Sequence, residues 1–143
     1  MRALIVLQPW AGLIAAGLKT IEFRNRPVRL RERVAVYAAS SRCAYGPIGK
    51  WCYACRYTEP WPCEDRRGKV LCLATLADCR PVTEADRACP DCPDDLSGWA
   101  WVLEDLRALD PIPCKPLRGA QTWFHLPPEV EAAINAQLEA SHD

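Results

Sequence analysis

The densest chemistry in this chain lies in residues 17–24, Gly17-Leu18-Lys19-Thr20-Ile21-Glu22-Phe23-Arg24. An ammonium, a carboxylate and a guanidinium fall within six residues there. Lys19 and Arg24 suit phosphate or carbonyl oxygen, Arg24 with a fixed fork of donors. Glu22 can accept from an amino group or orient Lys19. Lys19 and Glu22 could also activate a water, if burial or nearby cations drew the lysine pKa well below about 10. The plainer reading is a surface pair of Glu22 and Arg24, worth under about 1 kcal/mol.

A second set of chemically capable residues is the nine cysteines. Cys52-x-x-Cys55 and Cys89-x-x-Cys92 form a C-x2-C…C-x2-C pattern, a suitable tetrahedral thiolate set for structural zinc. Cys43 and Cys63 are substitutes for one ligand. The pairs stand 33 residues apart with a strand between them, so the long loop carrying the first pair must fold back to meet the second. Zinc would order that loop by supplying folding free energy. Redox-active thiols are the other reading of C-x-x-C. Cys72 and Cys79 fall in an apolar strand and Cys114 in a proline-containing crossing, where packing is the usual role. The odd count weighs against a disulfide framework.

Several elements must position these groups. Residues 2–7 read as a short buried strand, and residues 8–16 as a helix with Pro9 in its first turn. Gly17 suits the left-handed residue that closes a last helical turn. From Thr20 the pattern alternates, with Thr20, Glu22 and Arg24 on one face and Ile21 and Phe23 on the other, as in a half-buried strand. Lys19 then sits at the turn into that strand. A basic connector with Arg26, Arg29, Arg31 and Arg33 leads to a strand over residues 34–40. Residues 41–68 hold four cysteines, three prolines and three glycines, a loop long enough to be functional or pinned.

Residues 69–79 form a nearly continuous apolar strand, and residues 81–97 an acidic loop in which Thr83 suits the cap of a short helical turn. A strand over 99–104, an irregular crossing over 111–119 and a strand over 121–126 follow. Residues 128–140 form an amphipathic helix with Val130, Ile134 and Leu138 on one stripe. Many strands and few helices within 143 residues indicate one mainly β, α+β domain, a small barrel with flanking helices.

Half of the residues are apolar, which excludes a disordered chain. No apolar run approaches the roughly 20 residues that span a bilayer. The apolar N-terminal run is too short for a signal peptide, so a cytoplasmic protein is expected, without membrane partners. Net charge is zero but uneven. Residues 1–42 carry 8 Lys/Arg against 2 Asp/Glu, and residues 43–143 carry 10 against 16. Such asymmetry suits a basic face that steers an anion, or a basic segment packed beside an acidic one.

Gly17-x-Lys19-x-x-Glu22-x-Arg24 resembles the G-x-K-x-x-E-x-R signature of ASCH domains, in the PUA-like superfamily. The resemblance extends over about residues 4–126. It takes in Gln8-Pro9-Trp10, the strand end Ala39-Ser40, residues 68–78, Trp101-Val102-Leu103-Glu104, Pro111-Ile112-Pro113 and Gly119-x-Gln121-x-x-Phe124. It implies a PUA-like β-barrel core, with the C-terminal helix outside it.

It also implies a cleft for RNA or a nucleotide-like ligand, with Gln8, Trp10, Lys19, Glu22, Arg24 and Ser40 as the ligand-binding set. Trp10, Tyr45 or Trp51 would stack on a base, or pack in the core instead. Some relatives resemble amidohydrolases acting on an acylated cytidine, and others have been taken for ribonucleases. The amidohydrolase pattern has Thr where this chain has Glu22, so an enzyme here would work with Lys19, Glu22 and Arg24 as its catalytic set. A protein-interaction module is the third class. No organic cofactor is expected; structural zinc at Cys52, Cys55, Cys89 and Cys92 is.

Overall fold

The computed structural model describes residues 1–41 and 66–142. The elements run β1 (Arg2–Val6), α1 (Trp10–Ala15), β2 (Ile21–Arg24), β3 (Arg33–Ala38), β4 (Lys69–Pro81), a 3-10 turn (Glu84–Ala88), β5 (Trp99–Pro113), β6 (Trp123–His125) and α2 (Pro128–Ala140). The strands form one sheet in the order β2-β5-β4-β3-β1-β6. Among the described residues β1 and β3 pair in parallel and the other neighbours antiparallel.

The sheet curls into an open half-barrel. Trp101 on β5 stacks on Trp123 on β6, with ring centroids 5.9 Å apart, although three strands separate them in the sheet. Arg24 on the β2 edge likewise donates to the Ile5 carbonyl of β1 at 2.6 Å. The expected mainly β barrel with flanking helices is thus what forms.

Apolar residues fill both sides of the curl. Ile14 of α1 clusters with Leu4, Val6, Val36, Leu71 and Leu76, while Val130 and Ile134 of α2 cluster with Tyr37, Leu73 and Phe124. The predicted α2 stripe therefore faces the sheet, with Val130 and Ile134 buried and Leu138 against the same cluster.

Strand β5 departs from expectation. The residue pattern predicts an end at Glu104 and an irregular stretch over residues 111–119, yet the strand runs to Pro113. Beyond Val102 β2 no longer covers its outer side, so prolines there forfeit no ladder bond. Asp105, at φ 50°, and register shifts against β4 bend the strand on its way. Gln137 of α2 then pairs with the Asp110 backbone, accepting its N–H at 2.8 Å and donating to its carbonyl at 3.0 Å.

Candidate functional site

The signature segment begins at the end of α1. Leu18 N–H bonds the Leu13 carbonyl at 2.9 Å and Gly17 N–H the Ile14 carbonyl at 3.0 Å, with Gly17 at φ 76°. That pair of bonds closes a helix with a left-handed residue. The chain then turns into β2, whose alternation sends Glu22 and Arg24 to one side. Arg24 Nη2 lies 3.1 Å from Glu22 Oε2. The Arg24 guanidinium rests over the Trp101 ring, 5.6 Å from its centroid, and Trp101 donates to the Arg26 carbonyl at 3.0 Å.

Lys19 lies deeper than its neighbours. It is fully buried, with Nζ bonded to the Ile21 carbonyl and, at 3.1 Å, to the Pro90 carbonyl. The ammonium is 3.9 Å from Glu22 Oε1 and sits over the Phe23 ring at 4.7 Å and the Trp10 ring at 5.9 Å. Burial pushes its pKa below the ordinary lysine value, against the pull of Glu22 and Asp91. Lys19 thus supports Glu22 from behind.

A cleft of about 540 Å³ opens in front of Glu22. Its walls include Trp10, Glu22, Phe23, Arg24, Tyr37 and Ser40, with Asp91 and Gln121 at the margins. Of the residues singled out from sequence, Trp10, Glu22, Arg24 and Ser40 line it. Lys19 is beneath it. Gln8 is fully buried and its Oε1 accepts the Gly12 N–H at 2.8 Å, inside the first turn of α1. Thr20 is exposed, just before β2. Tyr45 and Trp51 lie outside the described residues.

Tyr37 and Asp91 carried no local signal, and Gln121 stood out only within the Gly119-x-Gln121-x-x-Phe124 resemblance. Tyr37 shares its strand pattern with ordinary core residues, and Phe124 packs edge-on against it at 5.2 Å. Burial raises its phenol pKa. Asp91 and Gln121 come from loops far along the chain. Asp91 has φ 67° and its carboxyl is raised by burial, with Lys19 opposing.

The loop after β4 delivers Pro90 and Asp91. Arg80 clamps Asp86 with two bonds of 2.7 and 2.8 Å, and Asp86 also accepts the Thr83 N–H at 2.8 Å. Thr83 caps the 3-10 turn, as its residue type suggested. The Arg80 guanidinium and this capping hold the Asp86 carboxyl down to about 2. Val82, Cys89, Cys92 and Leu96 then pack on Ile21 and Phe23, which places Pro90 over Lys19.

Cys89 and Cys92 are both partly buried in that loop, the Cys92 N–H facing the Cys89 carbonyl at 3.4 Å. Cys52 and Cys55 lie outside the described residues, as do Cys43 and Cys63. Among the described residues no three His, Cys, Asp or Glu side chains gather as a metal group. Cys72 and Cys114 are buried thiols, and burial pushes Cys72 up to about 12.

Similarity to known proteins agrees with this architecture. The model of the ASCH domain matches residues 4–113. A crystal structure of ASCH from Zymomonas mobilis is similar at 15% identity and TM-score 0.58, covering 94% of this chain and 93% of that one. Two single-substitution variants of the Zymomonas mobilis protein superpose at TM-scores 0.57 and 0.56, with 14% and 15% identity. The first pairing covers 94% of this chain and 96% of that one, and the second 94% of each. No curated protein sequence matches the chain. With the match spanning the half-barrel from β1 to the end of β5, the chain belongs to the ASCH domain family.

Proposed function

We propose that the chain binds RNA or a modified nucleoside in the cleft before Glu22. The observation that supports this best is the pairing of Glu22 with Arg24 in a cavity of about 540 Å³ walled by Trp10, Phe23 and Tyr37. That volume falls in the range of small-molecule pockets, roughly 300–1,000 Å³. Glu22 presents an acceptor for a base amino group. Both bonds of the Arg24 fork among the described residues use Nη2, which leaves Nη1 and Nε to donate to a ligand's carbonyl or phosphate. An aromatic wall stacks any base. Lys19 acts through Glu22 rather than on the ligand.

Titration of short single-stranded RNAs and free nucleosides into the full chain tests this. Glu22→Gln and Trp10→Ala should each weaken binding by about tenfold, as lost charge-assisted and stacking contacts do. RNA binding should also fall with salt, by a slope of about 0.7 per phosphate neutralised on a single strand. A protein indifferent to RNA, nucleosides and salt would be the interaction module instead.

A second reading rests on the cluster of Lys19, Glu22 and Arg24 at the cleft. In a hydrolase acting on an acylated nucleoside or RNA, the Glu22 carboxylate would activate water in the cleft, with Lys19 positioning it and Arg24 beside it. Release of acetate from an N4-acetylated cytidine, abolished by Glu22→Gln, would establish that reading.

Cys89 and Cys92 supply two thiols of the proposed zinc site, in the C-x-x-C arrangement such sites use. Cys52 and Cys55 would complete it. Bound zinc would supply folding free energy to the loop that carries Pro90 and Asp91.

A further inference from the structure

A second cavity, about 690 Å³, adjoins the cleft and shares Tyr37, Ser40, Pro116 and Ala120 with it. Its outer wall is the segment between β5 and β6, which brings Lys115 and Arg118 to the rim. Both side chains are exposed, and neither makes an ion pair or hydrogen bond among the described residues. The segment is nevertheless held. Cys114 N–H bonds the Gly68 carbonyl at 3.1 Å at its start, and Ile5 N–H bonds the Thr122 carbonyl at 2.9 Å near its end. Between them Ala120 N–H closes a turn on the Leu117 carbonyl at 3.0 Å, with Gly119 at φ 89°. That turn needs a residue free of the Cβ penalty at its third position, and it fixes Arg118 at the second. Two exposed cations, unpaired among the described residues, thus stand on an anchored turn beside the groove.

The side of the cleft bordered by the loop after β4 is more acidic. A third cavity shares Phe23, Arg24 and Asp91 with the cleft and is lined further by Asp94 and Ser97. Asp91 and Asp94 flank Arg24 there, and Arg24 is already paired with Glu22, so a phosphate is favoured at Lys115 and Arg118 instead.

We propose that Lys115 and Arg118 form a phosphate subsite, so that the ligand is a nucleoside carrying a phosphate, with its base before Glu22 and its phosphate on the turn. This rests on the reading of the cleft as a nucleoside site. The phosphate is either a terminal monoester or the diester linking the next nucleotide of a strand.

Calorimetric titration of the full chain separates these. The probes are the four ribonucleosides, their 5′- and 3′-monophosphates, and the diribonucleoside monophosphates, against wild type and the Lys115→Ser/Arg118→Ser double variant. Both side chains are exposed, so the variant should fold, which an unchanged melting temperature confirms. The expected result is a phosphate gain of about tenfold over the best nucleoside, the scale of one or two partly screened charge pairs. The double variant erases that gain and leaves nucleoside affinity within about twofold. A gain with a monophosphate marks a terminal phosphate; a gain confined to the dinucleotides marks a strand. Equal binding of nucleosides and nucleotides, or a gain that survives the double substitution, overturns the subsite and leaves the base site standing. No binding by any probe overturns the base site and the subsite with it.

Discussion

Lys19 Nζ lies 3.9 Å from Glu22 Oε1 yet has no exposure of its own, because the Pro90 carbonyl closes over it at 3.1 Å. The carboxylate is the group that reaches the cleft, and the ammonium is its support. Lys19→Met would leave the Ile21 and Pro90 carbonyls without a donor and Glu22 with Arg24 alone. Breaking a buried charge set of this kind costs about 3 kcal/mol, readable by denaturant unfolding.

The lowered pKa of Lys19 has a signed consequence. Between its folded value and about 10.4 the unfolded chain holds the extra proton, so this group makes stability rise with pH there. Lys19→Met removes that rise. The difference in unfolding free energy between wild type and variant should therefore grow from pH 7 to pH 10. A difference that stays flat would place the ammonium in an ordinary environment.

The Arg80–Asp86 clamp is a stability element at one remove from the cleft. The Asp86 carboxyl is depressed to about 2, so its contribution is present above about pH 4 and lost as pH falls toward 2. Asp86→Ala should cost about 1–3 kcal/mol at neutral pH, and less as the solution is acidified. Faster amide exchange at Asp91 in the same variant would report loosening of the loop.

Gly17 isolates a backbone effect. A Cβ built there meets no heavy atom within 4 Å, so only its φ of 76° resists substitution. Gly17→Ala should cost about 1 kcal/mol in thermal unfolding without altering cleft contacts.

Metal analysis of the purified protein decides the cysteine pairs. One equivalent of zinc, with a large fall in melting temperature on chelation, is the expected result. No metal and no shift would assign Cys89 and Cys92 to packing or redox chemistry.

The core of the site was legible because its geometry is local. Gly17 as a helix stop, and Glu22 and Arg24 on one side of a short strand, follow from a change of hydrophobic period within eight residues. The burial of Lys19 was not, because the carbonyl that covers it comes from a position 71 residues away. Asp91, Gln121 and the Lys115–Arg118 turn enter the groove through the same long-range closure. The full length of β5 was hidden too, since Pro111 and Pro113 read as breakers unless one knows that their outer side is unpaired.

Ligand binding in the cleft is tested by a ¹⁵N-detected titration of the full chain with a short single-stranded RNA. Shifts should concentrate at the Trp10 indole, the Arg24 guanidinium and the amides of Glu22, Ser40, Asp91 and Gln121. Shifts confined to the connector bearing Arg26, Arg29, Arg31 and Arg33, or none at the cleft, would contradict it.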